Sequence, residues 1–456
     1  MPAAGFIITL AQAFPYRRLD EQGVRIAKRR FLIENKETVI PDTEVLLLML
    51  SLTAILSALL VIVSTVFTPV SVQAICWENF VQVHNSVTHN SLSGVTAISA
   101  GWNHFVVLKE DGTVWTWGLN NYGQLGDGTN TDRRLAVQVI NAGDSSFLSE
   151  VIAVAAGDYH TLALKSDGTV WAWGRNEFGQ LGDNAGGWGR FSNRAVQVGT
   201  CPDAAFLGNI VAISAGHEHS VALSLDGTVW TWGDNFFGQL GDGSNHESHL
   251  PVRVVAASTD FLEEISAISA AHEHTLALDI HGRLFAWGWN EFGQLGDGTN
   301  VNQNTPVLVL GPDCPGFLDG IVSATAGYYR SYAVRDDGSV LTWGWIRVGQ
   351  SDDCATISRS LPVRVPRSND GEISRIVAGF EQTAFLMDDS QLCLWGRIGE
   401  MLYDKESRTL SVIERHEIDP VHCKNYPGII DVAAGGISTV LLMNDGTVWI
   451  CCYSYR

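Results

Sequence analysis

One phrase recurs along this chain. Its clearest copy runs from Tyr159 to Gly182: two apolar runs, His160–Leu164 and Val170–Trp173, flank Asp167-Gly168, and a cluster rich in Gly and Asn follows. Asp-Gly between two β-rich runs signals a hairpin, because glycine accepts the positive φ of a tight turn. With the register set three residues before the histidine, the copies start at Gly101, Gly157, Gly216, Ala271, Gly327, Gly379 and Gly435, at steps of 56, 59, 55, 56, 52 and 56 residues. A fixed period of this size marks a solenoid or a propeller. Each unit holds short β-type runs, a hairpin turn and paired tryptophans, with no helical periodicity. Four short strands fit, which is one propeller blade.

The remaining repeat features follow from that unit. Tryptophans recur at two fixed positions (Trp115 and Trp117, Trp171 and Trp173, Trp230 and Trp232), as expected of rings that fill gaps between blades. Phe147-Leu148, Phe206-Leu207, Phe261-Leu262 and Phe317-Leu318 stand before the next first strand and read as plugs at blade junctions. Repeats five and six are degraded: Arg330 and Gln382 replace the histidine, Ser390 replaces the turn glycine, and residues 397–428 lack the Gly-Gln-Leu-Gly turn. The two ends are complementary. Asn79–Val83 matches the fourth strand of a repeat (compare Arg194–Val198), and the last repeat stops at Arg456 without one. The N-terminal strand is therefore expected to complete the final blade, which closes the ring and hides its sheet edges. Six full repeats and one shared repeat give an all-β, seven-bladed propeller of four-stranded blades over residues 76–456.

Ahead of it, residues 1–44 form a charged leader, and residues 45–68 hold an apolar run long enough to span a bilayer. Arg17, Arg18, Arg25, Lys28, Arg29, Arg30 and Lys36 precede the run, and no Lys or Arg follows it until Lys109. That asymmetry places the leader in the cytoplasm and the repeats outside. The run reads as a transmembrane anchor or as a signal segment cut near Ala74. The formal charge is −20; residues 1–74 hold seven Lys/Arg and six Asp/Glu, a net of +1, which leaves −21 for the remainder. A domain this acidic repels a phosphate backbone, so nucleic acid is excluded as a partner.

The repeated pattern Ala-Gly-x-x-His…Leu…Asp-Gly-x-Val-Trp-x-Trp-Gly-x-Asn-x-x-Gly-Gln-Leu-Gly resembles the regulator-of-chromosome-condensation repeat family, over roughly residues 77–456, in a bacterial-type or extracytoplasmic form. The resemblance implies a seven-bladed propeller. It also implies one of two activities. The founding member is a nucleotide-exchange factor for a small nuclear GTPase, and other members are protein-binding modules, including a secreted bacterial inhibitor of β-lactamase. The acidic charge and the membrane segment depart from a chromatin-bound exchange factor, and the spacing leaves no room for a long inserted wedge, apart from the slightly longer Ala185–Phe191.

The chain carries no Gly-x-Ser-x-Gly elbow, P-loop or His-Glu-x-x-His helix, so no catalytic residue and no cofactor is assigned. Two motifs at one repeat position, His217-Glu218-His219 and His272-Glu273-His274, suggest four imidazoles converging on zinc. Against this, His219 and His274 stand where His104 and His160 stand, as the repeat's own structural histidine, so no metal is assigned. Asp127–Asp132 and Asp297–Asn300 read as turns in preference to calcium loops. The eight cysteines (76, 201, 314, 354, 393, 423, 451 and 452) permit disulfides without assigning them. If the ends share a blade, Cys76 approaches Cys451 or Cys452; the competing reading makes the latter two buried small residues. The expected partner-binding set is Asn103, Tyr159, Glu218, His219, Glu273, His274, Tyr328 and Tyr329, with an unidentified protein as partner. The favoured function is a non-enzymatic interaction propeller on the non-cytoplasmic side of a membrane, or secreted; the alternative is a regulator of a small GTPase.

Overall fold

The computed structural model describes residues 81–199, 206–256, 260–312, 316–346, 357–365, 373–380, 382–404, 409–436, 438–451 and 453–454. The leader, the apolar run over 45–68, Asn79, Phe80 and Cys76, Cys201, Cys314, Cys354 and Cys452 lie outside them. Among the described residues no helix is long and apolar enough to cross a membrane.

Each blade begins with its hairpin. Asp167 Oδ1 accepts from the Thr169 backbone N–H at 3.0 Å and from its hydroxyl at 2.6 Å, while Gly168 takes φ +80°. The same Asp-Gly-Thr clasp closes the turns at Asp111, Asp226 and Asp445. Blade 6 has Ser390 there instead of glycine, and it still adopts φ +65°. The hairpins grow into seven antiparallel sheets among the described residues: blades 1 to 7 cover 95–138, 151–197, 210–253, 265–308, 321–364, 373–425 and 429–451. In each, the first strand lines the axis. Gly157 is required there by close approach, since a Cβ would sit 2.4 Å from the Gly216 carbonyl oxygen.

The ring closes as the sequence implies. Val81–Gln82 runs antiparallel to Val448–Cys451, with Val81 opposite Ile450 and Gln82 opposite Trp449, and the Val83 N–H donates to Val448 O at 2.9 Å. Nothing is described of the Cys451 side chain, so the seam disulfide rests on the sequence alone. Cys393, opposite Cys423 in the blade 6 ladder, is disulfide-bonded. Blade 6 keeps a 56-residue step but spends it differently. Its outer strands, Gln391–Asp404 and Thr409–Asn425, form an extended ribbon, and Tyr453–Ser454 adds to it in parallel. Without the Gly-Gln-Leu-Gly turn, nothing stops the two strands from pairing onward.

The core is divided between blades. Leu108 and Val114 of blade 1 pack with Leu148, Val151 and Trp173 of blade 2, and equivalent wedges lie at the other junctions. The Phe-Leu pairs split: Leu148, Leu207, Leu262 and Leu318 are the plugs, while Phe147, Phe206, Phe261 and Phe317 are exposed. The second tryptophan of each pair is the interblade filler. Trp173, Trp232 and Trp287 are fully buried, and their Nε1 groups each donate to a Gln carbonyl of the preceding blade at 2.9 Å.

The repeat histidine supplies a second staple. His160 Nε2 lies 2.9 Å from Ser220 Oγ of the next blade, and that hydroxyl donates to Gln180 O at 2.8 Å. The hydroxyl proton is therefore committed, and the imidazole Nε2 must be the donor. His104, His219 and His274 repeat the contact with Thr161, Thr275 and Ser331. Burial holds all four well below the ordinary imidazole value, at about 3. Where histidine is missing the staple persists: Gln382 Nε2 donates to Ser438 O at 2.6 Å.

These neutral histidines make the propeller acid-labile. The unfolded chain takes up protons below its ordinary histidine pKa of about 6.5, while the folded chain refuses them down to about 3, so stability falls as pH drops through that window. Each such residue removes roughly 1.4 kcal/mol per pH unit. We expect His160→Gln, which copies the solution at position 382, to unfold less steeply with acid in tryptophan fluorescence. A slope equal to the wild type would refute the assignment.

Candidate partner-binding face

The turn between the first and second strands of each blade opens on one face of the ring. Its first two residues are Trp102-Asn103, Asp158-Tyr159, His217-Glu218, His272-Glu273 and Tyr328-Tyr329 in blades 1 to 5, followed by Phe380 in blade 6. The turns are tied to one another: the His217 N–H donates to His272 O at 2.8 Å, and the Trp102 N–H to Asp158 O at 3.3 Å. Of the first positions, Trp102, Asp158, His272, Tyr328 and Phe380 line the end of an axial cavity of about 230 Å³, whose walls also hold small residues such as Ser99, Ala155 and Ser214 together with Ile98, Val377, Val432 and Arg375.

Rings dominate one side of this face. Tyr328 packs on Phe380 at 4.4 Å and on Trp102 at 5.3 Å between ring centres, and Tyr329 meets Trp289 at 5.5 Å. Asn103 folds its amide onto its neighbour: in the amide orientation that satisfies both partners, Nδ2 donates to Trp102 O at 2.9 Å and Oδ1 accepts from Trp102 Nε1 at 3.2 Å. Carboxylates dominate the other side. His217 Nδ1 lies 2.8 Å from Glu273 Oε1, and its Nε2 is 3.7 Å from both Asp158 and Glu218. Tyr328 OH donates to Asp158 at 3.1 Å. Arg175 pairs with Glu218 and Glu177 and lies against the rings of Tyr122 and Tyr159.

Burial and charge compete here. Burial pushes Glu218 and Glu273 up to about 7 and Asp158 up to about 6, against the pull of His217, of Arg175 on Glu218 and of the Tyr328 hydroxyl on Asp158. Burial also opposes charge on His217, but the Glu273 hydrogen bond and the nearby carboxylates win and raise it to about 9. Burial, helped by the His217 charge, drives His272 the other way, well below the imidazole range.

The expected residues thus divide. Asn103, Tyr159, Tyr328 and Tyr329 are half-buried and gathered on this face. Glu218 and Glu273 belong to it but lie beneath it, at 2% and 5% exposure, held by Gln180 and Gln239. His219 and His274 are not part of it: both are fully buried interblade staples. The sequence reading missed Trp102, Asp158, His217 and His272 as a group, although each stands one residue before the position it chose. It also passed over Trp188, which the longer turn of blade 2 leaves 94% exposed. The two aspartate loops are turns, with Asp127 bound to Thr129 and Arg133 and Asp297 to Thr299 and Gln303.

A model of the RCC1-like domain matches residues 72–402. The ultraviolet-B receptor UVR8 of Arabidopsis thaliana is 33% identical over 59% of this chain and 57% of its own length. The RCC2 homolog of Danio rerio is 27% identical over 70% of this chain and 66% of its own. This chain thus spans between about half and two thirds of these relatives. Among solved structures, human WBSCR16 has a TM-score of 0.60 at 20% identity, covering 80% of this chain and 88% of its own. Prp20p of Saccharomyces cerevisiae, studied for its binding to Gsp1p and histones, has a TM-score of 0.56 at 22% identity, covering 79% and 83%. At these identities the structural likeness shows the fold.

The ion pairs at the site carry a testable cost. Arg175→Met leaves Glu218 buried without its guanidinium, and removing one partner of a buried pair costs about 3–5 kcal/mol. Glu218 is largely ionised at pH 8 and largely protonated at pH 6, given its value of about 7. The loss measured by urea unfolding is therefore expected to be larger at pH 8 than at pH 6. A loss independent of pH would show that Glu218 is not the group left stranded.

Proposed function

Since the chain belongs to the RCC1-like domain family, we propose that it is a non-enzymatic protein-binding propeller whose partner docks on the face carrying Trp102, Tyr159, Tyr328 and Tyr329. The gathering of half-buried aromatic rings beside buried carboxylates carries this reading. Rigid rings bring large contact area at low entropy cost and dominate interface energetics. The carboxylates and the formal charge of −20 favour a basic protein segment and disfavour nucleic acid.

We place this propeller outside the cytoplasm, held by residues 45–68 or released after cleavage near Ala74. The basic leader before the apolar run and the absence of Lys or Arg until Lys109 support that placement. The disulfide at Cys393 supports it as well, since disulfides persist in oxidising compartments. Regulation of a small GTPase is the second reading. Family membership alone favours it, and it requires a cytoplasmic propeller.

Two measurements test these readings. In a pull-down from the source cells with the full chain as bait, Tyr159→Ala, Glu218→Gln and Tyr329→Ala together are expected to lose the captured partner. Unchanged capture by a variant that stays folded would move binding to another face. A reporter fused after Arg456 is expected to be active only on the non-cytoplasmic side; cytoplasmic activity would favour the GTPase reading.

A further inference from the structure

Three side chains of the blade 3 and blade 4 turns, of which His272 lines the end of the axial cavity, are arranged as metal ligands. Donor atoms of His217, His272 and Glu273 all lie within 4.8 Å of one another. This is not the set that the His-Glu-His motifs suggest, because His219 and His274 are spent as staples. We propose that His217, His272 and Glu273 form a binding site for a borderline divalent transition metal, Zn²⁺ being the fitting ion.

Three observations carry the proposal. The donor set is two imidazoles and one carboxylate, which suits zinc with a fourth position left open. His272 Nδ1 is buried and has no hydrogen-bond partner among the described residues, and a buried polar atom left so is costly unless something completes it. The backbone is arranged to present that ring: His272 takes φ +38°, a left-handed value that non-glycine residues rarely adopt. The His217 N–H to His272 O bond of 2.8 Å then fixes the two ligand turns to each other.

This inference does not rest on the partner-binding reading, because metal binding is measured on the isolated chain. The full chain, purified in detergent and stripped with a chelator, is titrated with Zn²⁺ against a chromophoric competitor and separately with Co²⁺. We expect one equivalent of Zn²⁺, visible bands of four- or five-coordinate Co²⁺, and no competition from Mg²⁺ or Ca²⁺, which prefer all-oxygen sites. His217→Ala, His272→Asn and Glu273→Gln should each weaken Zn²⁺ binding at least about tenfold, whereas His246→Ala, on an exposed turn, should not. Asparagine is chosen at 272 because it tolerates a positive φ. Two outcomes overturn the proposal: wild-type protein that gives only the spectrum of hydrated Co²⁺, or Zn²⁺ affinity unchanged in folded ligand variants. The first needs no variant to fold.

Discussion

Everything in this propeller hangs on one interblade joint, built around the glutamine of the Gly-Gln-Leu-Gly turn. The Gln180 carbonyl accepts from Ser220 Oγ at 2.8 Å and from Trp232 Nε1 at 2.9 Å, both on the next blade. Its side-chain amide is used as well: Oε1 accepts from the Phe178 N–H at 3.0 Å, and Nε2 donates to Glu218. One residue thus joins blade to blade through its backbone and joins core to the candidate face through its side chain. Each hydrogen bond contributes only about 1 kcal/mol net. The geometry is what the joint adds, since blades that otherwise meet through apolar wedges acquire a fixed angular register. Gln239 repeats the arrangement with Trp287 and Glu273. At Gln294, where Tyr329 replaces the glutamate, Nε2 has no partner among the described residues.

The fold was legible because its signals are periodic. Turn glycines, paired tryptophans and the histidine recur at one spacing, and the missing fourth strand at one end matches the spare strand at the other. The degraded repeats were harder to read, because a substitution can keep a function by another route. Gln382 looks like the loss of a histidine, yet its longer amide still reaches Ser438. Arg330 does likewise, with Nη2 donating to Gln382 O at 3.3 Å. What the repeat position requires is a donor that spans the blade gap, and residue identity is a proxy for that. The blade 6 ribbon was illegible for the opposite reason, since its signal is the absence of a turn.

The site was legible only as a repeat position. Treating His217 and His219 as alternate residues of one strand predicts that they share a face. The strand begins at His219, however, and His217 belongs to the turn before it, where alternation no longer applies. The turn sends His217 among the carboxylates Asp158, Glu218 and Glu273, while the strand sends His219 into the blade junction. The same distinction separates His272 from His274. Glutamates expected on the partner-binding surface proved buried because their hydrogen-bond donor is an internal amide, which no local pattern announces.

The finished face is more asymmetric than its backbone. Seven nearly equivalent turns would present a ring with no preferred direction, and a partner could dock in several rotations. The side chains break that equivalence. Among the described residues, the carboxylates at the two turn positions lie in blades 2, 3 and 4, as half-buried Asp158 and buried Glu218 and Glu273. The packed rings at the first position lie in blades 1, 5 and 6, as Trp102, Tyr328 and Phe380. A partner that presents a cation to one side and an apolar surface to the other fits in one rotation and meets a like-charge or desolvation penalty in the rest. The repeat supplies a rigid stage, and specificity comes from the positions at which the repeats differ.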